Sequence, residues 1–206
     1  MLTWASGAKL LLATGNRAKV REYRALLDGL PCELVTLAEV KVAPVSESGS
    51  SLEENARLKA AVYAAGSGLL ALADDSGLEV DALGGEPGPL SARYAGEGAT
   101  DSDRIDYLLL RLKGVPWEKR TARFRCVICV ATPGGRVELC SGECPGFITF
   151  EPHGSRGFGY DPVFYLPELG KTIAELPFEV KNQVSHRARA AGQVKQALAR
   201  LTGLVL

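Results

Sequence analysis

With 206 residues, 46% of them hydrophobic, the chain can bury a substantial core as one large domain or as two closely joined lobes. Lysine plus arginine and aspartate plus glutamate both total 24, a balance that argues against a general nucleic-acid binder. No apolar run approaches the ~20 residues of a membrane span, and MLTWASGAK lacks the apolar stretch of a signal peptide, so the expectation is a cytoplasmic protein that does not engage membranes.

Leu10 to Ala13 reads as a short buried strand. It stops at Thr14-Gly15-Asn16, and Asn16 is a good N-cap for a helix with Val20, Tyr23, Leu26 and Leu27 at helical spacing. A helix start offers unpaired N–H groups and the positive end of a dipole. Thr14 adds a hydroxyl, Gly15 lets a ligand approach the backbone, and Lys19 adds charge. A phosphate suits such a place, and so does an ordinary capped turn. CELVTL, residues 32–37, reads as the next strand. Ser51 and Glu54 have capping-box spacing ahead of a helix that ends at Gly66. LLALA is a buried strand ending at Asp74-Asp75-Ser76-Gly77, and LEVDAL is a candidate further strand. GGEPGPLSARYAGEGA is a loop long enough to suspect function. Thr100 caps a helix to about Lys113, and Thr132-Pro133-Gly134-Gly135 joins two strands into a hairpin over 121–148. A loop-rich stretch spans 151–184, and Ser185 caps a last helix to about Leu201. Early alternation of strands and helices, with antiparallel strands later, predicts an α/β fold. The expected form is a mixed sheet with flanking helices, in two lobes around a cleft.

Several stretches could carry chemistry. Asp74-Asp75 at a strand end could hold Mg²⁺ or accept a proton from water; it could also be a polar turn. Glu47 supplies a second loop carboxylate, of a kind usually solvated. Phe158 and Tyr160, two apart in GFGYDP, could stack a flat ring or could be core aromatics beside a turn. His186 and Arg187 open a helix near its positive end, where cations are unfavourable. A ligand anion or carbonyl would offset that cost; a solvated basic face is the other reading.

Other patterns are misleading. Cys126, Cys129, Cys140 and Cys144 mimic a zinc site. On strands, however, Cys126 and Cys129 would point to opposite faces and could not share one ion. Leu169-Gly170-Lys171-Thr172 resembles the end of a P-loop, but Tyr165 stands where the first glycine is required. GFGYDP begins like a dinucleotide fingerprint and ends in proline. With His153 and His186 the only histidines, a zinc hydrolase is also disfavoured.

Taken together and in order, ATGNRAKVRE, ESGSSLEENARLKA, ADDSGLEVDALGGEPGPLSARYAG, GFGYDPVF and KNQVSHR resemble the inosine/xanthosine triphosphate pyrophosphatases. The resemblance covers nearly the whole chain, from about Lys9 to Leu201. It implies an elongated α/β fold, a mixed twisted sheet with flanking helices and two lobes around a central cleft, as a single domain over 1–206 and a homodimer. It also implies Mg²⁺-dependent hydrolysis of deaminated purine triphosphates, ITP, dITP and XTP, to monophosphate and pyrophosphate, without stable nucleic-acid binding. Carried over by position, Thr14, Gly15, Asn16, Arg17, Ala18 and Lys19 would hold the triphosphate, with Asn55 nearby. Glu47 and Asp75 would bind Mg²⁺, Asp75 would accept the proton, and Ser76 would touch substrate. Phe158, Gly159, Tyr160 and Asp161 would wall the base and sugar, and Lys181, His186 and Arg187 would close over the base. Departures from the family pattern are Val180 before the lysine, Arg156 before GFGYD, and a longer leader before Lys9.

Overall fold

The computed structural model describes residues 7–45 and 49–203. Its fold is mixed α/β, and the uninterrupted Leu10-Leu11-Leu12 run shows why. A strand with one wet face alternates apolar and polar residues; a strand covered on both faces does not. Strand β1 (Lys9–Leu12) is of the second kind. Leu10 and Leu12 pack with Tyr23 of helix α1 (Arg17–Leu26), while Leu11 packs with Leu52, Ala56 and Ala60 of helix α2 (Leu52–Ser67). Strands β2 (Glu33–Thr36) and β3 (Leu70–Val80) flank β1 in parallel, with Leu11 opposite both Val35 and Ala71.

The rest of the sheet comes from β4 (Pro87–Gly88), the hairpin strands β5 (Thr121–Ala131) and β6 (Val137–Ile148), β7 (Phe164–Leu166) and β8 (Lys171–Thr172). Among the described residues the order is β2-β1-β3-β5-β6-β7-β8, with β4 paired to β3. The β3–β4, β6–β7 and β7–β8 pairs are antiparallel.

The chain forms two compact units. The first holds the chain to Asp75, Cys126–Gly142 and the chain from Arg187; the second holds Ser76–Arg125 and Glu143–His186. The boundaries fall inside β3, β5, β6 and helix α5 (His186–Ala191). In the first unit α1, α5 and α6 (Val194–Thr202) share one apolar cluster and α2 belongs to another, with strand residues alternating between the two. Cys126 joins the α1 cluster and Cys129 the α2 cluster, the opposite-face placement that strand geometry requires. The second unit has one core. Ile105 and Leu108 of α3 (Asp101–Arg111) meet Leu78, Val80, Phe124, Tyr160 and Phe164 there, and α4 (Phe178–Val184) lends Val180 and Val184. Arg120 is buried and donates to the carbonyls of Leu112, Val115 and Thr149, closing the loop after α3.

Some boundaries differ from the sequence reading. Asp74-Asp75-Ser76-Gly77 is not a turn at a strand end, because β3 runs straight through it. The cause is long-range: a Cβ on Gly77 would stand 2.2 Å from the Gly88 carbonyl oxygen, so only glycine lets β4 pair with Leu78 and Glu79. LEVDAL leaves the strand after Val80 and becomes a short 3-10 turn, Asp81–Leu83. Helix α2 continues to Ser67, with Gly68 in the left-handed region at φ 70°. Ser51 caps α2 as expected, but the Glu54 carboxylate turns to the N–H and hydroxyl of Ser50 instead of completing the box. Helix α3 stops at Arg111, and the last helix is two pieces, α5 and α6, parted at Gly192 and Gln193. The loop-rich stretch also contains α4, which carries Lys181. No described helix is long and apolar enough to cross a membrane.

Candidate active site

In the first unit the start of α1 is capped from within. Asn16 Oδ1 accepts from the N–H groups of Ala18, at 2.9 Å, and Lys19, at 3.2 Å, while Thr14 Oγ1 accepts from the Asn16 N–H. Arg17 and Gly15 face solvent. The Lys19 side chain leaves this turn and donates to Asp74 Oδ2 at 2.8 Å. Asp74 is buried, and Arg187 approaches the same oxygen to 3.7 Å. Burial pushes the Asp74 carboxyl up, but Lys19, Arg187 and Lys59 together overcome it and hold the group well below the usual carboxylate range. Asp74 Oδ1 is buried without a hydrogen-bond partner among the described residues.

Arg187 is fully enclosed and donates to Glu22 Oε2 at 2.5 Å. Burial works against its charge, and Asp74, Tyr23 and Glu22 more than restore it, so the guanidinium stays charged. The cost of a cation near the start of α5 is therefore met by carboxylates of the chain itself. Behind this cluster Tyr23 Oη lies 3.8 Å from Cys126 Sγ. Burial, and then Asp74, push the Cys126 thiol up to about 12, so it stays protonated.

On the α2 side, Asn55 Nδ2 donates to Asp75 Oδ2 at 3.0 Å, and Lys59 Nζ lies 3.5 Å from Asp75 Oδ1. Asn55 Oδ1 accepts from the Gly49 N–H at 2.8 Å, so one side chain ties the 49–51 segment to Asp75. A Cβ on Gly49 would stand 2.7 Å from that same oxygen. Glu47, the second expected metal ligand, lies outside the described residues. Among those residues no three His, Cys, Asp or Glu side chains converge as a metal cage.

In the second unit, residues 158–161 form a tied turn. Phe158 N–H donates to Asp161 Oδ2 at 2.9 Å, and Lys181 Nζ donates to the same oxygen at 2.5 Å. The Lys181 ammonium also sits 4.6 Å from the centre of the Phe158 ring, a cation–π distance. Phe158 is partly exposed; Tyr160 is buried in the core, with its hydroxyl on the Ser91 carbonyl at 2.9 Å. The two aromatics of GFGYDP therefore divide, one presenting a ring and one anchoring the turn. His186 stacks on Phe124, ring centres 4.8 Å apart and planes within 16°. Ser76 follows Asp75 on β3.

Two residues of these clusters have no role in the sequence reading: Lys59 and Glu22. Lys59 had a signal. The buried stripe of α2 runs Leu52, Asn55, Ala56, Lys59, Ala60, Tyr63, and two polar side chains in an apolar stripe need partners. Glu22 likewise sits beside Tyr23 on the buried face of α1.

Comparison with known proteins places the chain in a family. Positions 10–197, spanning TGN, Asp74-Asp75, GFGYD and SHR, match the model of the Ham1 family. The chain belongs to the Ham1 family. A relative from Geobacter sulfurreducens named dITP/XTP pyrophosphatase is 52% identical over 92% of this chain and 96% of its own. A Thermus thermophilus relative of the same name is 50% identical over 93% and 92%. Among solved structures, a Ham1 protein of Coxiella burnetii is similar with TM-score 0.86 and 40% identity over 94% of this chain and 99% of that one. The Staphylococcus aureus Ham1 protein gives TM-score 0.84 and 38% identity, covering 94% and 100%.

Proposed function

We infer that this Ham1 chain is a dITP/XTP pyrophosphatase that hydrolyses ITP, dITP and XTP to the monophosphate and pyrophosphate, removing deaminated purines from the nucleotide pool. The observation that carries the reading is Asp75: a buried carboxylate gripped by Asn55 and Lys59, in the same unit as the capped start of α1. The relatives' shared name supports it over nearly the whole chain.

To the triphosphate we assign Thr14, Gly15, Asn16, Arg17, Ala18 and Lys19. Gly15 supports this assignment. A Cβ there would meet no protein atom, and its φ is not left-handed, so neither packing nor backbone demands glycine. A ligand that approaches the backbone does. Lys19 has three donors, enough to keep Asp74 and still reach a phosphate oxygen. Asn55 holds the Asp75 carboxylate in one orientation, and Asp75 accepts the proton of the attacking water.

The chemistry of the residues suits Mg²⁺. Asp75 offers carboxylate oxygen, Asn55 links it to the Gly49 N–H, and Glu47, two positions before Gly49 in the sequence, is the second carboxylate of this reading. A hard cation takes one or two carboxylates and completes its shell with water and phosphate, and when bound it offsets the charge of the phosphates. Phe158, with Lys181 against its ring, presents a stacking face, and we assign Gly159, Tyr160 and Asp161 to holding that face. Lys181 can only donate. It satisfies a base with a carbonyl at position 6 and would meet an adenine amino group donor against donor. Ser76, His186 and Arg187 complete the substrate contacts of this reading. The same reading takes 1–206 as one pyrophosphatase domain, homodimeric and cytoplasmic, acting on free nucleotides rather than on nucleic acid.

The test is turnover of ITP, dITP, XTP, GTP and ATP by the purified protein with Mg²⁺, products separated by chromatography. Monophosphate plus pyrophosphate is expected, with kcat/KM for ITP at least ~10²-fold above that for ATP. Diphosphate plus inorganic phosphate, or equal use of ATP, would overturn the assignment.

A further inference from the structure

Helix α3 carries a carboxylate that none of the roles above uses. Asp101, its first residue, accepts from the backbone N–H of Gly159 through Oδ2 at 2.7 Å. Its Oδ1 pairs with Arg104, one turn along the helix. Arg104 in turn donates to the carbonyls of Ala92, at 3.0 Å, and Ala99, at 2.5 Å. Asp101 is not needed to cap α3, because Thr100 and Asp103 form a complete reciprocal box there. Its carboxylate is directed to a residue 58 positions away in sequence.

The recipient is a sensitive place. Gly159 is left-handed at φ 62°, and a Cβ there would meet nothing, so the need for glycine comes from the backbone alone. Three consecutive residues are each held by a different partner: Phe158 N–H by Asp161, Gly159 N–H by Asp101, and the Tyr160 hydroxyl by the Ser91 carbonyl. The Asp161 bond is local, and the Tyr160 bond acts at the end of a side chain. The Asp101 bond ties the backbone of the turn directly to a separate helix, α3. The N–H to carboxylate bond is charge-assisted, the stronger class of hydrogen bond.

We propose that Asp101 is a positioning residue for substrate: by holding the Gly159 N–H it fixes the 158–161 turn and thereby sets the Phe158 ring against which the base stacks. The Gly/Pro-rich loop before α3 then has a role as a brace, since Ser91, Ala92 and Ala99 all belong to this set of bonds. The proposal rests on the assignment of 158–161 to the base.

The experiment compares Asp101→Ala and Asp101→Asn with the unmodified protein, well below the melting temperature of each. Asparagine retains an oxygen for the Gly159 N–H; alanine does not. For Asp101→Ala, KM for ITP should rise about 5–10-fold while kcat changes less than about two-fold; Asp101→Asn should keep KM within about two-fold. Hydrogen–deuterium exchange over 157–163, without nucleotide, should rise in the alanine variant and return to normal in the asparagine one. Unchanged exchange in Asp101→Ala overturns the tether. Raised exchange with unchanged KM overturns the substrate role, and an equal KM rise in both variants overturns the hydrogen bond as its cause. If the unmodified protein hydrolyses neither ITP nor XTP, the functional reading falls and the base-positioning role falls with it, while the exchange arm still decides the tether.

Discussion

Replacing Arg187 by methionine isolates the physics of the buried cluster in the first unit. The guanidinium is 1% exposed, 2.5 Å from Glu22 and 3.7 Å from Asp74. Methionine has similar bulk and no charge, so the change leaves Glu22 buried and deprived of this cation, while Asp74 keeps Lys19 at 2.8 Å. Removing one partner of a buried pair costs about 3–5 kcal/mol, most of it the burden of the stranded charge. For a chain of this length each kcal/mol lowers the melting temperature by about 2–4 °C, so a drop of about 10 °C is expected. Adding Glu22→Gln removes the carboxylate charge that Arg187 faced and should restore about 1–3 kcal/mol, a coupling a double-mutant cycle can measure.

The pH dependence has a fixed sign. The folded-state pKa of Asp74 is lowered, so its contribution is complete above the unfolded carboxylate value of ~3.9 and fades as pH falls below it. The Arg187→Met variant has already lost part of that contribution. Calorimetric melting of both proteins should therefore show each losing melting temperature as pH falls below about 4, because Lys19 still pairs Asp74 in the variant. A variant that melts within about 2 °C of the unmodified protein at neutral pH, an unmodified protein whose melting temperature does not fall in acid, or a double variant no more stable than the single one would refute the reasoning.

Asp75→Asn preserves shape and the Asn55 contact but removes the charge; turnover of ITP should fall at least ~10²-fold with circular dichroism unchanged, and near-normal turnover would exclude Asp75 as the proton acceptor. Gly77→Ala would drive a methyl to 2.2 Å from the Gly88 carbonyl oxygen. It should cost at least ~2 kcal/mol in urea unfolding by displacing β4 from β3, whereas a loss below ~0.5 kcal/mol would show that β4 yields freely.

What the sequence revealed was what local physics decides. Asn16 between an apolar run and an amphipathic stretch is an N-cap by residue type and position, and it caps α1 with two bonds. Leu10-Leu11-Leu12 could be read as doubly buried, and Cys126 and Cys129 as opposed across β5, because a strand's period is two. Asp74-Asp75-Ser76-Gly77 was misread for an equally physical reason: each residue favours turns, and the force that keeps them extended is the close approach of Gly88, eleven residues beyond Gly77 in the chain. The counter-ion of Arg187 is Glu22, separated by 165 positions, and no local pattern pairs them. Lys59 lay within reach, because a lysine in the apolar stripe of α2 had to find an acid. For Tyr160 an aromatic beside glycine suits a wall or a core position, and its hydroxyl bond to the Ser91 carbonyl could not be read from the local pattern.

The Asp74-Asp75 doublet shows how the sheet divides labour between two neighbouring acids. Successive side chains of a strand point to opposite faces. Asp74 goes with Leu72 toward the α1 side and meets Lys19 and Arg187, whereas Asp75 goes with Ala71 and Ala73 toward the α2 side and meets Asn55 and Lys59. Two acids sharing one site would raise one another's pKa. Asp74 is instead held low, as expected of a carboxylate whose strongest neighbours are cations. Asp74 is thus committed to ordering Lys19 and Arg187, and Asp75 is the carboxylate placed with the Gly49 segment. The division depends on register, which Leu10 opposite Leu70 and Leu12 opposite Leu72 maintain. A slip of one residue between β1 and β3 would exchange the environments of the two acids, putting Asp75, the proposed proton acceptor, among Lys19 and Arg187. The apolar leucines of the first strand therefore determine which aspartate faces Asn55 and Lys59.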